Sequence, residues 1–189
     1  METIKSDVSV DAKGLACPMP IVKTKKAMTN LEGGQVLEVL ATDQGSRADL
    51  KAWADSMGHQ YLGTVEVDKV LKHYIRKSTG EEAAPRQHTQ VMSNAELETI
   101  LSSQPNAVVL DVREAAEYAF NHIPNAISIP LGELEARISE LNSEQDIYVV
   151  CRTGNRSDFA AQQLTKQGFT KVTNVVPGMS EWTGNTTSL

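Results

Sequence analysis

The sequence predicts an α/β protein built from two consecutive modules, and three observations lead there. Short apolar runs of strand length alternate with segments of helical periodicity along the 189 residues. From Ser78 to Gln90 that alternation stops, and Gly, Pro and polar residues without apolar periodicity take over, the pattern of a surface linker. The order of elements also differs on its two sides: β-α-β-α-β-β before it, regular strand–helix alternation after it. The expected boundaries are residues 1–78 for the first module, 79–90 for a flexible linker and 91–189 for the second module.

In the first module, strands are expected at Val8–Ala12, Val36–Ala41, Tyr61–Asp68 and Lys72–Lys77, with helices from about Pro18 to Leu31 and at Ser46–Met57. The first helix sets Ile21, Val22, Met28 and Leu31 in an apolar stripe against the basic Lys25 and Lys26. Ser46, with Asp49 three residues on, resembles a capping box, and Gly58 is a helix stop. A two-layer sandwich follows, with both helices on one face of a small sheet. In the second module Ser93 to Glu96 reads as another capping box, and strands are expected at Ala107–Val112, Ala126–Ile129, Ile147–Cys151 and Val172–Val175. Helices are expected between them at Glu114–Phe120, Gly132–Leu141 and Ser157–Gln167. Such alternation gives a mostly parallel sheet with helices on both faces, and reactive groups gather at the carboxyl ends of its strands, where Asp111 and Cys151 fall.

A hydrophobic content of 40% against 22% charged residues is that of a globular chain and excludes a disordered one. No apolar run approaches a membrane span and the first residues form no apolar leader, so a cytoplasmic protein without membrane attachment is expected. Residues 1–80 carry net charge +1 and residues 81–189 carry −7, which argues against direct nucleic-acid binding. Two cysteines more than a hundred residues apart form no metal motif and, in a reducing compartment, no structural disulfide. His59, His73 and His88 share no ligand spacing and are read as surface residues, Trp53 and Trp182 as packing.

Cys151 directly follows a buried apolar run and directly precedes Arg152, Thr153, Gly154, Asn155, Arg156 and Ser157, where strand gives way to helix. Backbone N–H groups of that loop and the first helical turn are expected to converge on the sulfur, and with the helix dipole and two arginines to favour a thiolate. An inert buried thiol, the common fate of a free cysteine, gives no reason for two arginines and a Gly-Asn turn behind it. Arg156 lies five residues after Cys151. In Cys-based phosphatases the closing arginine comes one residue later and the ring accommodates a tetrahedral phosphate. The shorter cradle suits one additional sulfur atom on the cysteine, so persulfide chemistry leads and phosphatase or arsenate reductase chemistry trails.

Residues 88–185 resemble the rhodanese-like sulfurtransferases. The likeness rests on an ordered set: Asp111-Val112-Arg113-Glu114, Glu117-Tyr118, His122-Ile123-Pro124-Asn125-Ala126, the loop from Cys151 to Arg156, and Pro177-Gly178-Met179-Ser180-Glu181-Trp182. Asn121 stands where the family usually has Gly before the His, and Asn125 where it often has Gly; both tolerate positive φ. The resemblance implies a cysteine that takes sulfane sulfur from thiosulfate or a protein persulfide and hands it to a nucleophile. Arg152 and Arg156 would then balance the charge of the persulfide and of an anionic donor, Asp111 would support the Cys151 loop or Arg113, and Arg113 and Glu114 would either border the entrance or form a pair at a helix start. His122 is read as a turn residue rather than a base.

Cys17 follows a strand and opens a helix in Gly14-Leu15-Ala16-Cys17-Pro18-Met19-Pro20. Pro18 is expected at the first helical position, and Pro18 and Pro20 together fix an exposed thiol at a helix N-terminus, with Lys23 one turn on; both influences lower a thiol pKa. The motif Cys17-Pro18-Met19-Pro20, the element order and Asp43-Gln44-Gly45 resemble the TusA-like (SirA-like) sulfur carriers over residues 5–77. That resemblance implies a persulfide carrier with no metal or organic cofactor.

The combined expectation is a sulfurtransferase in which a covalent cysteine persulfide passes between Cys151 and Cys17, from thiosulfate or a protein persulfide to a sulfur-acceptor protein, in either direction. The linker would give the two thiols an effective concentration on the order of millimolar if it spans them. The competing expectations are a non-catalytic sulfur or selenium delivery protein and a redox sensor forming a Cys17–Cys151 disulfide.

Overall fold

The structure is a computed structural model and describes residues 3–80 and 84–189. The chain divides into two compact units, Met1–Gly80 and Glu81–Leu189.

The first unit runs β1 (Val8–Asp11), α1 (Met19–Thr29), β2 (Val36–Ala41), α2 (Ser46–Ser56), β3 (Gln60–Val67) and β4 (Val70–Arg76). Its sheet has the order β1-β2-β4-β3, with β1 parallel to β2 and the remaining pairs antiparallel. Alternation along the strands sends Leu37, Val39 and Ile75 to one face, where Met28 of α1 with Leu50 and Ala54 of α2 cover them. This is the expected two-layer sandwich. One local reading changes: Gly45 is the N-cap of α2, and Ser46, the first helical residue, makes no capping box with Asp49. Its hydroxyl donates instead to the Asp43 carbonyl at 2.6 Å and lies 2.9 Å from His73 Nε2. His73 is accordingly a core residue at 0% exposure, not a surface one, and its Nδ1 meets Tyr61 Oη at 2.7 Å and Thr64 Oγ1 at 2.8 Å. Burial, with Arg47 nearby adding repulsion, lowers its pKa to about 4.

The second unit runs β5 (Val91–Ser93), α3 (Asn94–Ser103), β6 (Val108–Asp111), α4 (Ala115–Phe120), β7 (Ile127–Ser128), α5 (Leu134–Arg137), β8 (Ile147–Val150), α6 (Asn155–Lys166) and β9 (Val172–Val176). All pairs are parallel, in the order β5-β9-β8-β6-β7. Both faces are covered. Ile147 and Val149 of β8 pack with Leu134, Ala160 and Leu164 on one side, while Tyr148 and Val150 pack with Leu97 and Ile123 on the other. Ser93 and Glu96 form the expected capping box. The expected helix Gly132–Leu141 is instead α5 between two 3-10 turns, Leu131–Glu133 and Ile138–Glu140. Asn125 has φ 64°, as its place in the motif suggests, whereas Asn121 is extended at φ −165°.

The segment read as a linker is bound along its second half. Ala84, Arg86, Gln87 and His88 all bond within the second unit, to Asn155, Thr153, Asp158 and Val172. Gln90 accepts from the Asn174 N–H at 2.9 Å. Residues 84–90 are thus a strap on the second unit, while residues 81–83 of the expected linker lie outside the described residues.

Candidate functional site

In the second unit β8 ends at Val150 and delivers Cys151 to a turn closed by Gly154, whose φ of 93° places it in the left-handed region. Helix α6 then begins at Asn155, two residues earlier than the sequence suggests, so Arg156 and Ser157 belong to its first turn. The Gly154 N–H donates to Cys151 Sγ at 3.1 Å, and Ser157 Oγ lies 3.3 Å from the same sulfur. Cys151 itself is 1% exposed.

The turn is held from behind. The Cys151 carbonyl accepts from the Met179 N–H at 2.8 Å and the Arg152 carbonyl from the Ser180 N–H at 2.9 Å. Gly178, at φ 87°, lets this segment approach so closely that an added Cβ would collide with the Cys151 carbonyl oxygen. Asn94 fixes Gly178 on both sides, donating to its carbonyl at 2.9 Å and accepting from its N–H at 3.1 Å. On the other flank Arg86 Nη2 donates to the Thr153 carbonyl at 3.0 Å and Nε to Asn155 Oδ1 at 3.2 Å.

The two arginines part ways. Arg156, expected to face a persulfide, is buried in a two-pronged ion pair with Glu117 of α4, Nη1 at 2.6 Å and Nη2 at 2.9 Å from the carboxylate oxygens. Burial works against its charge; Glu117, by its own charge and its hydrogen bonds, more than restores it, so its pKa lies above the ordinary range. Arg156 thus ties α6 to α4 and lends its field to the sulfur through space. Arg152 is half-buried in the turn. Asp111 accepts from the Arg113 backbone N–H at 3.0 Å and from its Nη2 at 2.6 Å, and Arg113 reaches on to the Asn121 carbonyl at 2.6 Å. Asp111 and Arg113 therefore form a buried brace at the end of β6. His122 uses Nδ1 toward the Tyr118 carbonyl at 2.7 Å.

In the first unit Cys17 is exposed just ahead of α1. Pro18 is the N-cap rather than the first helical residue, and Pro20 is buried in the first turn, with its carbonyl taken by Thr24 Oγ1 at 2.8 Å. The electrostatics differ from expectation. Lys23 Nζ donates to the Asp11 carbonyl at 2.9 Å, and the charged groups that act on the thiol are instead the Asp49 and Asp43 carboxylates. The pull of Asp49 on the thiol proton first, then partial desolvation and the negative charges of Asp49 and Asp43, push the Cys17 pKa up, against the lowering expected from the helix and Lys23. Asp49 and Asp43 reach the thiol from α2 and the turn before it, a pairing across the fold that no local motif displays.

Sequence reasoning did not single out Glu117 as the Arg156 partner, nor Asn94, Asn174, Arg86 or Asp158. Glu117 and Gly178 lay inside quoted motifs, and the spacing of charge-bearing motifs was the available signal for the first of them.

This combination, a strand-end cysteine at the head of a helix in a five-stranded parallel sheet, preceded by a small sandwich with an exposed cysteine at a second helix start, is matched by known families. The family described as "Sulfurtransferase TusA" covers residues 8–77 and the "Rhodanese-like domain" covers residues 93–185. The chain belongs to the sulfur carriers in which a TusA domain precedes a rhodanese-like domain, and its domains are those of sulfur transfer and carriage. It is 50% identical over 183 residues to "Putative sulfur carrier protein YrkF" of Bacillus subtilis, covering 97% of this chain and 99% of that protein. "Putative sulfur carrier protein YrkI" of the same organism is 58% identical over 74 residues, 39% of this chain and 99% of its own length. A crystal structure of a rhodanese-like domain protein from Staphylococcus aureus superposes with TM-score 0.51 at 27% identity, over 53% of this chain and 99% of that one. Among the described residues no helix is long and apolar enough to cross a membrane.

Proposed function

We propose that the protein is a cytoplasmic sulfurtransferase that moves sulfane sulfur as a cysteine persulfide between Cys151 and Cys17, from thiosulfate or a protein persulfide to a downstream acceptor protein. The observation that carries this reading is a sulfur at a helix start that accepts from the Gly154 N–H and has the Ser157 hydroxyl oxygen 3.3 Å away, in a chain whose other unit exposes a second thiol. The Cys151 thiolate attacks the donor's outer sulfur, the bond joining that sulfur to the rest of the donor breaks, and sulfite or the donor's thiolate leaves; the receiving thiolate then attacks the same outer sulfur and expels the Cys151 thiolate, with the in-line geometry of thiol–disulfide exchange. Arg152 in the turn attracts an anionic donor, and Thr153, Gly154 and Asn155 shape the cradle. Arg156 contributes charge from behind Glu117, and Asp111 and Arg113 keep the end of β6 rigid. The covalent sulfur is the only group the chemistry requires beyond the side chains, with no metal or organic cofactor.

Intact-mass measurement after incubation with thiosulfate tests this on the unmodified chain, Cys17→Ser and Cys151→Ser. A gain of one sulfur that persists in Cys17→Ser and vanishes in Cys151→Ser is expected. Equal gain in both variants would place sulfur entry elsewhere.

One observation favours a second reading. The carboxylates beside Cys17 push its pKa up and so disfavour its thiolate, which suits a carrier loaded and discharged by partner proteins without turnover of thiosulfate, and such a carrier of sulfur or selenium is the alternative. Thiocyanate release from thiosulfate and cyanide separates the two: its absence, with sulfur still accepted from a protein persulfide, would leave only the carrier.

A further inference from the structure

Asn174 lies on β9, beside β8, and its side chain is fully buried at 0% exposure. Its amide nitrogen donates to the Gly154 carbonyl at 3.0 Å, and its amide oxygen lies 2.6 Å from Ser157 Oγ. The amide has one workable orientation, since turning it round would set two oxygens against each other at Gly154. The oxygen that faces Ser157 must then be met by the hydroxyl proton. Ser157 Oγ also lies 3.3 Å from Cys151 Sγ, and a serine has a single proton to give. While that proton rests on Asn174, Ser157 presents a lone pair to the sulfur. A lone pair accepts from an S–H and is tolerated by an uncharged sulfur, but it repels a sulfur bearing a full negative charge.

We propose that Asn174 is a positioning residue for sulfur transfer at Cys151: it holds the Ser157 hydroxyl proton while Sγ is neutral and yields it to Sγ when Sγ becomes a thiolate. The inference rests on the reading of Cys151 as the persulfide-bearing thiol. In the discharge step an acceptor thiolate attacks the outer sulfur of the Cys151 persulfide in its S–SH form. A bond forms between the acceptor sulfur and the outer sulfur, and the bond from the outer sulfur to Sγ breaks. Its electron pair goes onto Sγ and the proton stays on the transferred sulfur, so neither oxidant nor reductant enters. Sγ passes from neutral to anionic in that step. Rotation of the Ser157 hydroxyl about its C–O bond supplies a donor to the new charge, at the cost of one hydrogen bond to Asn174. Through Gly154 the same amide aligns the second donor, the Gly154 N–H. One buried side chain thus sets both hydrogen bonds to the reacting sulfur.

Infrared spectroscopy of the full chain carrying Cys17→Ser, at mildly acidic pH, reads the S–H stretch of Cys151 alone, because the sequence has two cysteines. The band is expected at the lowered frequency of a hydrogen-bonded thiol, and Ser157→Ala is expected to move it up. Asn174→Ala should shift the band while Ser157 is present and leave it in place when Ser157→Ala is combined with it. After sulfur loading, Ser157→Ala should slow discharge to an acceptor thiol by roughly tenfold or more. The assignment is overturned by a band that Ser157→Ala does not move, by the absence of an S–H band, or by an Asn174→Ala shift of equal size in both backgrounds. Should Asn174→Ala fail to fold, the Ser157→Ala band decides by itself. The two failures stay distinct: a chain that takes up no sulfur defeats the proposed function, whereas an unmoved band with sulfur uptake intact defeats the role given to Asn174.

Discussion

Cys17 and Cys151 are both cysteines at the start of a helix, yet their surroundings set them to different tasks. Cys151 is enclosed and accepts the Gly154 N–H of its own turn; Cys17 stands in the open, under the influence of the Asp49 carboxylate. Asp49→Asn removes the carboxylate's charge and its pull on the thiol proton, so the Cys17 thiol should ionise at lower pH. In a Cys151→Ser background, Cys17 should then react with iodoacetamide severalfold faster at neutral pH. An unchanged or slower rate would mean that Asp49 does not govern this thiol. The sequence exposed both cysteines, their helix starts and their neighbours along the chain. It hid the partners that arrive from elsewhere: Asp49 at Cys17, Glu117 at Arg156 and Asn174 at Ser157. Each comes from another element of the fold, 17 residues away for Ser157 and Asn174 and 39 for Arg156 and Glu117, and charge alone does not say which carboxylate an arginine will meet.

Secondary elements were legible where periodicity was unambiguous. The second strand, Val36–Ala41, has the bounds its apolar alternation suggests, and both helices of the first unit are within a residue or two of theirs. The expected helix Gly132–Leu141 is less regular: Leu131, Leu134, Ile138 and Leu141 recur at spacings of three and four, which 3-10 turns share, and the outer threes are such turns. Strand β5 is three residues among polar neighbours and leaves no pattern to see. The cluster that joins α2 to β4 through Ser46 and His73 has a measurable consequence. Unfolded, His73 takes up a proton near pH 6.5; folded, only near 4. Between those values the unfolded chain binds more protons, so the first unit should lose stability as pH falls, by on the order of 3 kcal/mol in all. Urea unfolding of the full chain carrying Trp182→Phe, followed through Trp53, should show this slope, and His73→Gln should flatten it. Equal slopes with and without His73→Gln would refute the assignment.

Across the whole molecule, the division into two units was visible in the sequence, but the nature of the joining segment was not. Gln87, His88 and Gln90 look like solvent-exposed linker residues, and polarity cannot distinguish a free strand from one tied down by its backbone. The tie is Asp158, buried on α6, whose carboxylate accepts from the Gln87 N–H at 3.0 Å and the His88 N–H at 2.9 Å. Amide hydrogen exchange should therefore find Gln87 and His88 protected in the full chain and lose that protection in Asp158→Ala, with β8 still protected. Fast exchange at both amides in the unmodified chain would show that the strap is not held. The same carboxylate decides where this protein can be cut. A fragment begun at residue 91, as composition invites, would strip a buried carboxylate of its two main-chain donors and take Arg86 from the turn that follows Cys151, whereas one begun at residue 84 keeps both, so the shorter piece should be the poorer folder although it contains every strand and helix of the second unit.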